Sequence, residues 1–183
     1  MCGIFALFGE EVEAGYHLLH HRGADAYSTR TLGKCRMDFY RLAINDLTPT
    51  GMQPFKSDKS MLICNGEIYN HKKFRTGFEK GTSDCEVLIP MIEYFGVLET
   101  LDAITGDFAF VYSDGKKVIA ARDPVGVRPL FYTRYAENSI AFASEVKALL
   151  FLNSAIQIFP PGHIYDSYLD DFVCYHSGYW RVN

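Results

Sequence analysis

Apolar residues along this chain fall in short runs broken by turn residues, and the runs set out a β-rich fold. Gly3–Phe8 reads as a buried strand, and Met37–Ile44 and Ser60–Cys64 as two more, the last running straight into Asn65-Gly66-Glu67. Glu11–His20 reads as a short helix. Ser83-Asp84-Cys85-Glu86 has capping-box spacing, with Ser83 as N-cap and Glu86 at the third helical position. Val87, Leu88, Met91, Ile92 and Phe95 then share one helical face, and Pro90 inside that helix predicts a kink.

From Asp107 the texture changes. Phe108–Tyr112, Asp114-Gly115 and Val118–Ala121 predict a β-hairpin, and Leu130–Tyr135 with Ile140–Ala143 a second pair. A short helix over Glu145–Leu150 and strands at Ile156–Phe159 and His163–Tyr165 complete the pattern. Many antiparallel strands with few helices predict two stacked sheets, with helices over at least one outer face.

The 183 residues suffice for one domain with a sizeable core, and 48% hydrophobic with 22% charged is an ordinary globular composition. A net charge of −4 and the lack of any Lys/Arg run argue against nucleic acid as a partner. Cys2, Cys35, Cys64, Cys85 and Cys174 are odd in number and show no Cys-x-x-Cys spacing. This predicts neither a zinc site nor a disulfide framework, and fits a reducing, cytoplasmic setting. Glu10, Glu11 and Glu13 follow the apolar start at once, which is not a signal peptide, and no apolar run reaches membrane-spanning length.

Cys2 is the candidate that gives this frame its chemistry. Removal of Met1 would leave one residue carrying both a thiol and a free α-amine. An α-amine has a pKa near ~7.7–8.0, so roughly one in seven is neutral at pH 7, against about one lysine in 2,500. An N-terminal cysteine therefore brings its own general base.

Further segments carry a resemblance. They are Met1-Cys2-Gly3-Ile4-Phe5, His21-Arg22-Gly23-Ala24-Asp25, Arg41-Leu42-Ala43-Ile44-Asn45-Asp46, Gln53-Pro54 and Asn65-Gly66-Glu67-Ile68-Tyr69-Asn70. They continue with Ser83-Asp84-Cys85-Glu86, Arg122–Leu130, Ala143–Leu149 and Pro160-Pro161-Gly162. In this order they resemble the glutaminase domain of class II glutamine amidotransferases, the N-terminal-nucleophile type, over essentially the whole chain. Asn-Gly-Glu-Ile-Tyr-Asn is similar to the asparagine synthetase branch. The resemblance implies an α+β fold, a four-layer αββα sandwich of two antiparallel sheets, as a single domain over 1–183.

It also implies a site. Cys2 would attack the glutamine side-chain carbonyl, and Asn65 and Gly66 would donate to the oxyanion, with the glycine allowing close backbone approach. Arg41 would receive the α-carboxylate, and Asp84 and Glu67 the α-ammonium. Leu42, Ala43, Ile44 and Asn45 would line the pocket largely through backbone groups. Each residue also has a plainer reading: a tight turn for Asn65-Gly66, a surface ion pair for Arg41, a helix-dipole partner for Asp84. His20 and His21 are expected to be structural, and Asp123 and Glu145 to shape the fold or a docking face.

The chain departs from the family at Ala24, where proline is usual, and in a short stretch from Gly9 to His21. The expected reaction is hydrolysis of glutamine to glutamate and ammonia through a Cys2 thioester, with no metal or cofactor. No Ser-Gly-Gly loop occurs, so the expected partners are L-glutamine and an ATP-using synthetase subunit in trans, with no membrane. Alternatives are a non-catalytic glutamine-sensing or partner-docking module, and a hydrolase of another amide. The joint presence of Cys2, Arg41, Asn65, Gly66 and Asp84 disfavours the first, and Arg41 opposite Asp84 the second.

Overall fold

The structure, a computed structural model, describes residues 1–44, 46–75, 77 and 81–177. Its strands are β1 (Gly3–Phe8), β2 (Ala26–Leu32), β3 (Cys35–Arg41), β4 (Phe55–Lys56), β5 (Met61–Ile68) and β6 (Gly106–Ser113). They continue with β7 (Val118–Arg122), β8 (Phe131–Ala136), β9 (Ser139–Ala143), β10 (Gln157–Ile158), β11 (His163–Asp166) and β12 (Asp171–Cys174). They form two antiparallel six-stranded sheets, ordered β10-β8-β9-β1-β3-β2 and β12-β11-β7-β6-β5-β4. Helices α1 (Leu88–Phe95) and α2 (Val97–Ala103) cover the second sheet. The expected α+β sandwich is therefore present. Its outer layer on the first sheet is made of 3-10 turns, Tyr16–Arg22, Val146–Ala148 and Leu150–Leu152, rather than long helices.

Period-2 alternation divides each central strand between two cores. On β1, Ile4, Ala6 and Phe8 pack between the sheets while Phe5 and Leu7 face the 3-10 layer. On β5, Met61 and Ile63 point between the sheets while Leu62 and Cys64 meet the helices. Burial on both faces is why these strands read as unbroken apolar runs.

Several expectations need correction. The helix placed at Glu11–His20 is a 3-10 turn starting at Tyr16. Asn65-Gly66 is no turn: the two residues continue β5, opposite Ala109 and Phe108 on β6. The helix after Ser83 opens as a 3-10 turn over Asp84–Val87, and Ser83 makes no side-chain cap; Glu86 Oε2 accepts from the Gly81 N–H at 3.0 Å instead. The α-helix begins at Leu88, which places Pro90 in its first turn, where an N–H has no intrahelical acceptor and the ring breaks nothing.

Candidate active site

The two sheets bring the site together through strand parity. Cys2 is the alternate position before Ile4, Arg41 the one after Phe39, and Asn65 the one after Ile63. Ile4, Phe39 and Ile63 all lie in the core between the sheets. Each candidate is thus the next inward-facing residue where its strand runs off the end of that core. There they line one cleft with Leu42, Ala43, Ile44, Gly66, Glu67 and Asp84. Asn45 lies outside the described residues.

Cys2 is held from several directions. The Leu42 N–H donates to its Sγ at 3.4 Å, and the thiol donates to the Leu42 carbonyl at 3.6 Å. Burial pushes the thiol up from its ordinary range, against a smaller lowering by the Leu42 hydrogen bond. A proton acceptor is therefore needed to make the thiolate, which keeps the Leu42 N–H as a donor. Arg22 Nε donates to the Cys2 carbonyl at 3.0 Å, and Arg22 is paired with Glu145 at 2.9 Å. Ser144 accepts the Ile4 N–H at 3.1 Å on its Oγ. The Ser144-Glu145 segment thus anchors the strand that follows Cys2, and His21 joins it through Glu145 at 3.0 Å. His20 lies edge-on to Tyr40 on the turn.

Asn65 is 2% exposed, and among the described residues its Nδ2 has no hydrogen-bond partner. Leaving such a donor buried and unmet costs about 1–3 kcal/mol, so it stands ready for an acceptor in the cleft. Gly66 has a structural reason of its own: a Cβ there would come within 2.4 Å of the Asp107 carbonyl oxygen on β6. The glycine is required by the neighbouring strand as much as by anything in the cleft.

Arg41 is 8% exposed and grips the following turn, donating to the carbonyls of Thr48, at 2.7 Å, and Asp46. These contacts use two of its five N–H groups. Asp84 is buried and accepts the Ile68 N–H at 2.6 Å, which ties it to the end of β5. Glu67 is exposed at the rim. The backbone at 41–43 is shaped by Asp25, whose carboxylate accepts the Ala43 N–H at 2.8 Å.

Some contributors were not singled out by the sequence. Arg128 lines the cleft and pairs with Asp107 at 2.6 Å, and Asp107 accepts the Tyr69 hydroxyl at 2.5 Å. Asp123 was expected to shape the fold, and its carboxylate accepts the N–H groups of Val125, Gly126, Val127 and Arg128. Among the described residues no group of three or more His, Cys, Asp and Glu side chains could hold a metal ion. No helix among them is long and apolar enough to cross a membrane.

Comparison with known proteins places the chain in a family. A family model described as a glutamine amidotransferase domain matches residues 1–173. The chain is 40% identical to glutamine-hydrolysing asparagine synthetase 3 of Arabidopsis thaliana, over 91% of this chain and 32% of that protein. It is 37% identical to asparagine synthetase 1 of Saccharomyces cerevisiae, over 98% and 34%, and 37% identical to the human enzyme, over 89% and 33%. The chain spans about a third of the length of these relatives. Among solved structures, a B. subtilis glutamine phosphoribosylpyrophosphate amidotransferase superposes with a TM-score of 0.81 at 21% identity, over 97% of this chain and 50% of that one. That likeness shows the same fold, a sandwich of two antiparallel sheets. Matched over nearly all of its length, the chain belongs to the class II glutamine amidotransferases, with asparagine synthetase-type relatives.

Proposed function

We propose that this domain hydrolyses the side-chain amide of glutamine to glutamate and ammonia through a γ-glutamyl thioester on Cys2. The observation that carries the reading is the unpartnered Asn65 Nδ2, buried in the cleft that Cys2 lines from the opposite sheet. With Met1 removed, the Cys2 amine takes the thiol proton and Sγ attacks the amide carbon. Asn65 Nδ2 and the Gly66 N–H receive the developing oxyanion, which is where fixed donors lower a barrier most. Collapse breaks the C–N bond, and the amine returns the proton to the departing ammonia. Water then attacks the thioester, giving up a proton to the same amine, and Sγ leaves as the thiol. Arg41 holds the α-carboxylate, and Asp84 with Glu67 the α-ammonium.

The ammonia serves an ATP-using synthetase acting with this domain. The relatives' names, glutamine-hydrolysing asparagine synthetases, support that extension. Val125 and Val127, 51% and 57% exposed on the loop that Asp123 pins, offer a rigid apolar face for it.

The test is intact mass and glutamate release on the same sample. Protein shown to begin at Cys2 should release glutamate, and Cys2→Ala should release none while still binding glutamine. Processed protein that releases no glutamate, alone or with an ATP-using synthetase from the same source, overturns the reading.

A further inference from the structure

The cleft must hold Arg41 and Asp84 at one fixed separation, since a free amino-acid head group presents its carboxylate and ammonium at a fixed distance. The two residues come from different elements: Arg41 ends β3 in one sheet, and Asp84 opens the 3-10 turn Asp84–Val87, tied to the end of β5 in the other sheet by the Ile68 N–H. One side chain spans the interval between their segments. Asp46 accepts the Thr48 N–H at 2.8 Å and the Thr48 hydroxyl at 2.6 Å on Oδ1, and the Thr82 N–H at 2.8 Å on Oδ2. Its own carbonyl accepts from Arg41 Nη2. One residue therefore touches the Arg41 guanidinium with its main chain and, with its carboxylate, the segment two residues before Asp84.

The surroundings leave this bridge little play. Arg75 fixes the far segment by donating to the carbonyls of Gly81 and Ser83, each at 2.9 Å. A Cβ on Gly51 would lie 2.6 Å from Arg41 Nη2 and 2.8 Å from Asp46 Cβ, and one on Gly81 would lie 2.8 Å from Asp46 Oδ2. Both flanks are thus closed except to glycine. Burial raises the Asp46 carboxyl, but the hydrogen bonds from Thr48 and Thr82 outweigh it and hold the group well below the usual carboxylate range. The bridge is therefore an anion that accepts on both oxygens.

We propose that Asp46 is the positioning residue that sets the separation of Arg41 and Asp84, and with it the preference for a free α-amino-acid head group. The inference rests on the glutaminase reading above, which assigns those two residues to the head group.

Asp46→Asn keeps the volume but turns one accepting edge into a donor, which faces either the Thr82 or the Thr48 N–H. On processed protein, the expected result is a rise of about tenfold or more in KM for glutamine with kcat changed less than about threefold. Alkylation of Cys2 by iodoacetamide, which carries no amino-acid head group, should proceed at the parent rate. Protection against that alkylation should need about tenfold more glutamine. Gly81→Ala presses on the same carboxylate from the other side and should give the same pattern, so the test stands if Asp46→Asn does not fold. Unchanged KM and unchanged protection in the variants overturn the proposal. So does a parallel loss of kcat, Cys2 reactivity and melting temperature, which would mark a general structural role. If the parent protects Cys2 with glutamine but releases no glutamate, the hydrolase reading fails while the protection assay still decides the role of Asp46.

Discussion

The side-chain amide of Gln53 closes on the backbone of Cys64 from both sides, its Oε1 accepting the Cys64 N–H at 2.6 Å and its Nε2 donating to the Cys64 carbonyl at 3.1 Å. Cys64 directly precedes Asn65 on β5, so this pairing sets the backbone from which the unpartnered amide reaches into the cleft. Gln53→Ala strands two buried backbone groups, at about 1–3 kcal/mol each. Its stability loss should come with a kcat at least about tenfold lower and a KM within about threefold, because the donor it aligns meets charge chiefly in the transition state. Steady-state kinetics and thermal melts on one preparation check this.

Asn65→Ala should lower kcat by ~10²–10³, the usual cost of one oxyanion donor, with a much smaller change in KM. Because Nδ2 has no partner among the described residues, stability should fall by less than about 1 kcal/mol. A large loss of stability together with a rate within threefold of the parent would make Asn65 a structural residue.

Met1 retention makes the Cys2 nitrogen an amide, which is no base near neutral pH. Processed protein should show kcat/KM rising about tenfold per pH unit below a midpoint near ~7.7–8.0, where the α-amine loses its proton, and levelling above it. Protein verified by mass to retain Met1 should lack that limb. Burial raises the Cys2 thiol, so a mechanism that used the thiolate without the amine would place the midpoint higher. The pH profile separates the two.

Glu145 gives a stability prediction with a definite sign. Burial raises its carboxyl, but hydrogen bonds from Arg22, Lys147 and His21 outweigh that and bring it to about 2. A folded pKa below the unfolded value near ~4.3 contributes stability above that value, which is lost as pH falls toward 2. Glu145→Gln should cost roughly 1–2 kcal/mol at pH 7, because solvent screens its half-exposed partners His21 and Lys147, with the gap to the parent narrowing below about pH 4.5. Denaturant melts at several pH values measure it. An equal gap at pH 7 and pH 3 would show that packing, and not charge, dominates there.

The strands of the central sheets were legible because burial on both faces leaves continuous apolar runs in β1, β5, β6 and β7. Strand β2 was not: it lies at a sheet edge, largely exposed, and its Ala-Tyr-Ser-Thr-Arg-Thr-Leu sequence gives no apolar period to read. Cys2, Arg41, Asn65 and Asp84 were legible through local motifs. Asp46 and Gln53 stood inside quoted segments, yet their work was invisible, since it consists of contacts with Thr82 and Cys64 that no spacing rule connects. The 3-10 turn at Asp84–Val87 escaped because a capping-box pattern does not reveal that Glu86 will bond to Gly81 instead.

The core between the sheets has a mechanical consequence. Cys2 and Arg41 ride on one sheet and Asn65 on the other, so Cys2 and Asn65 keep their distance only as well as the filling between them resists being squeezed or sheared. Ile4, Phe39, Met61 and Ile63 act as a spacer, and protein interiors packed at crystal-like density compress little. Turnover should therefore register a methylene removed at Met61, or moderate hydrostatic pressure, well before the sandwich itself comes apart.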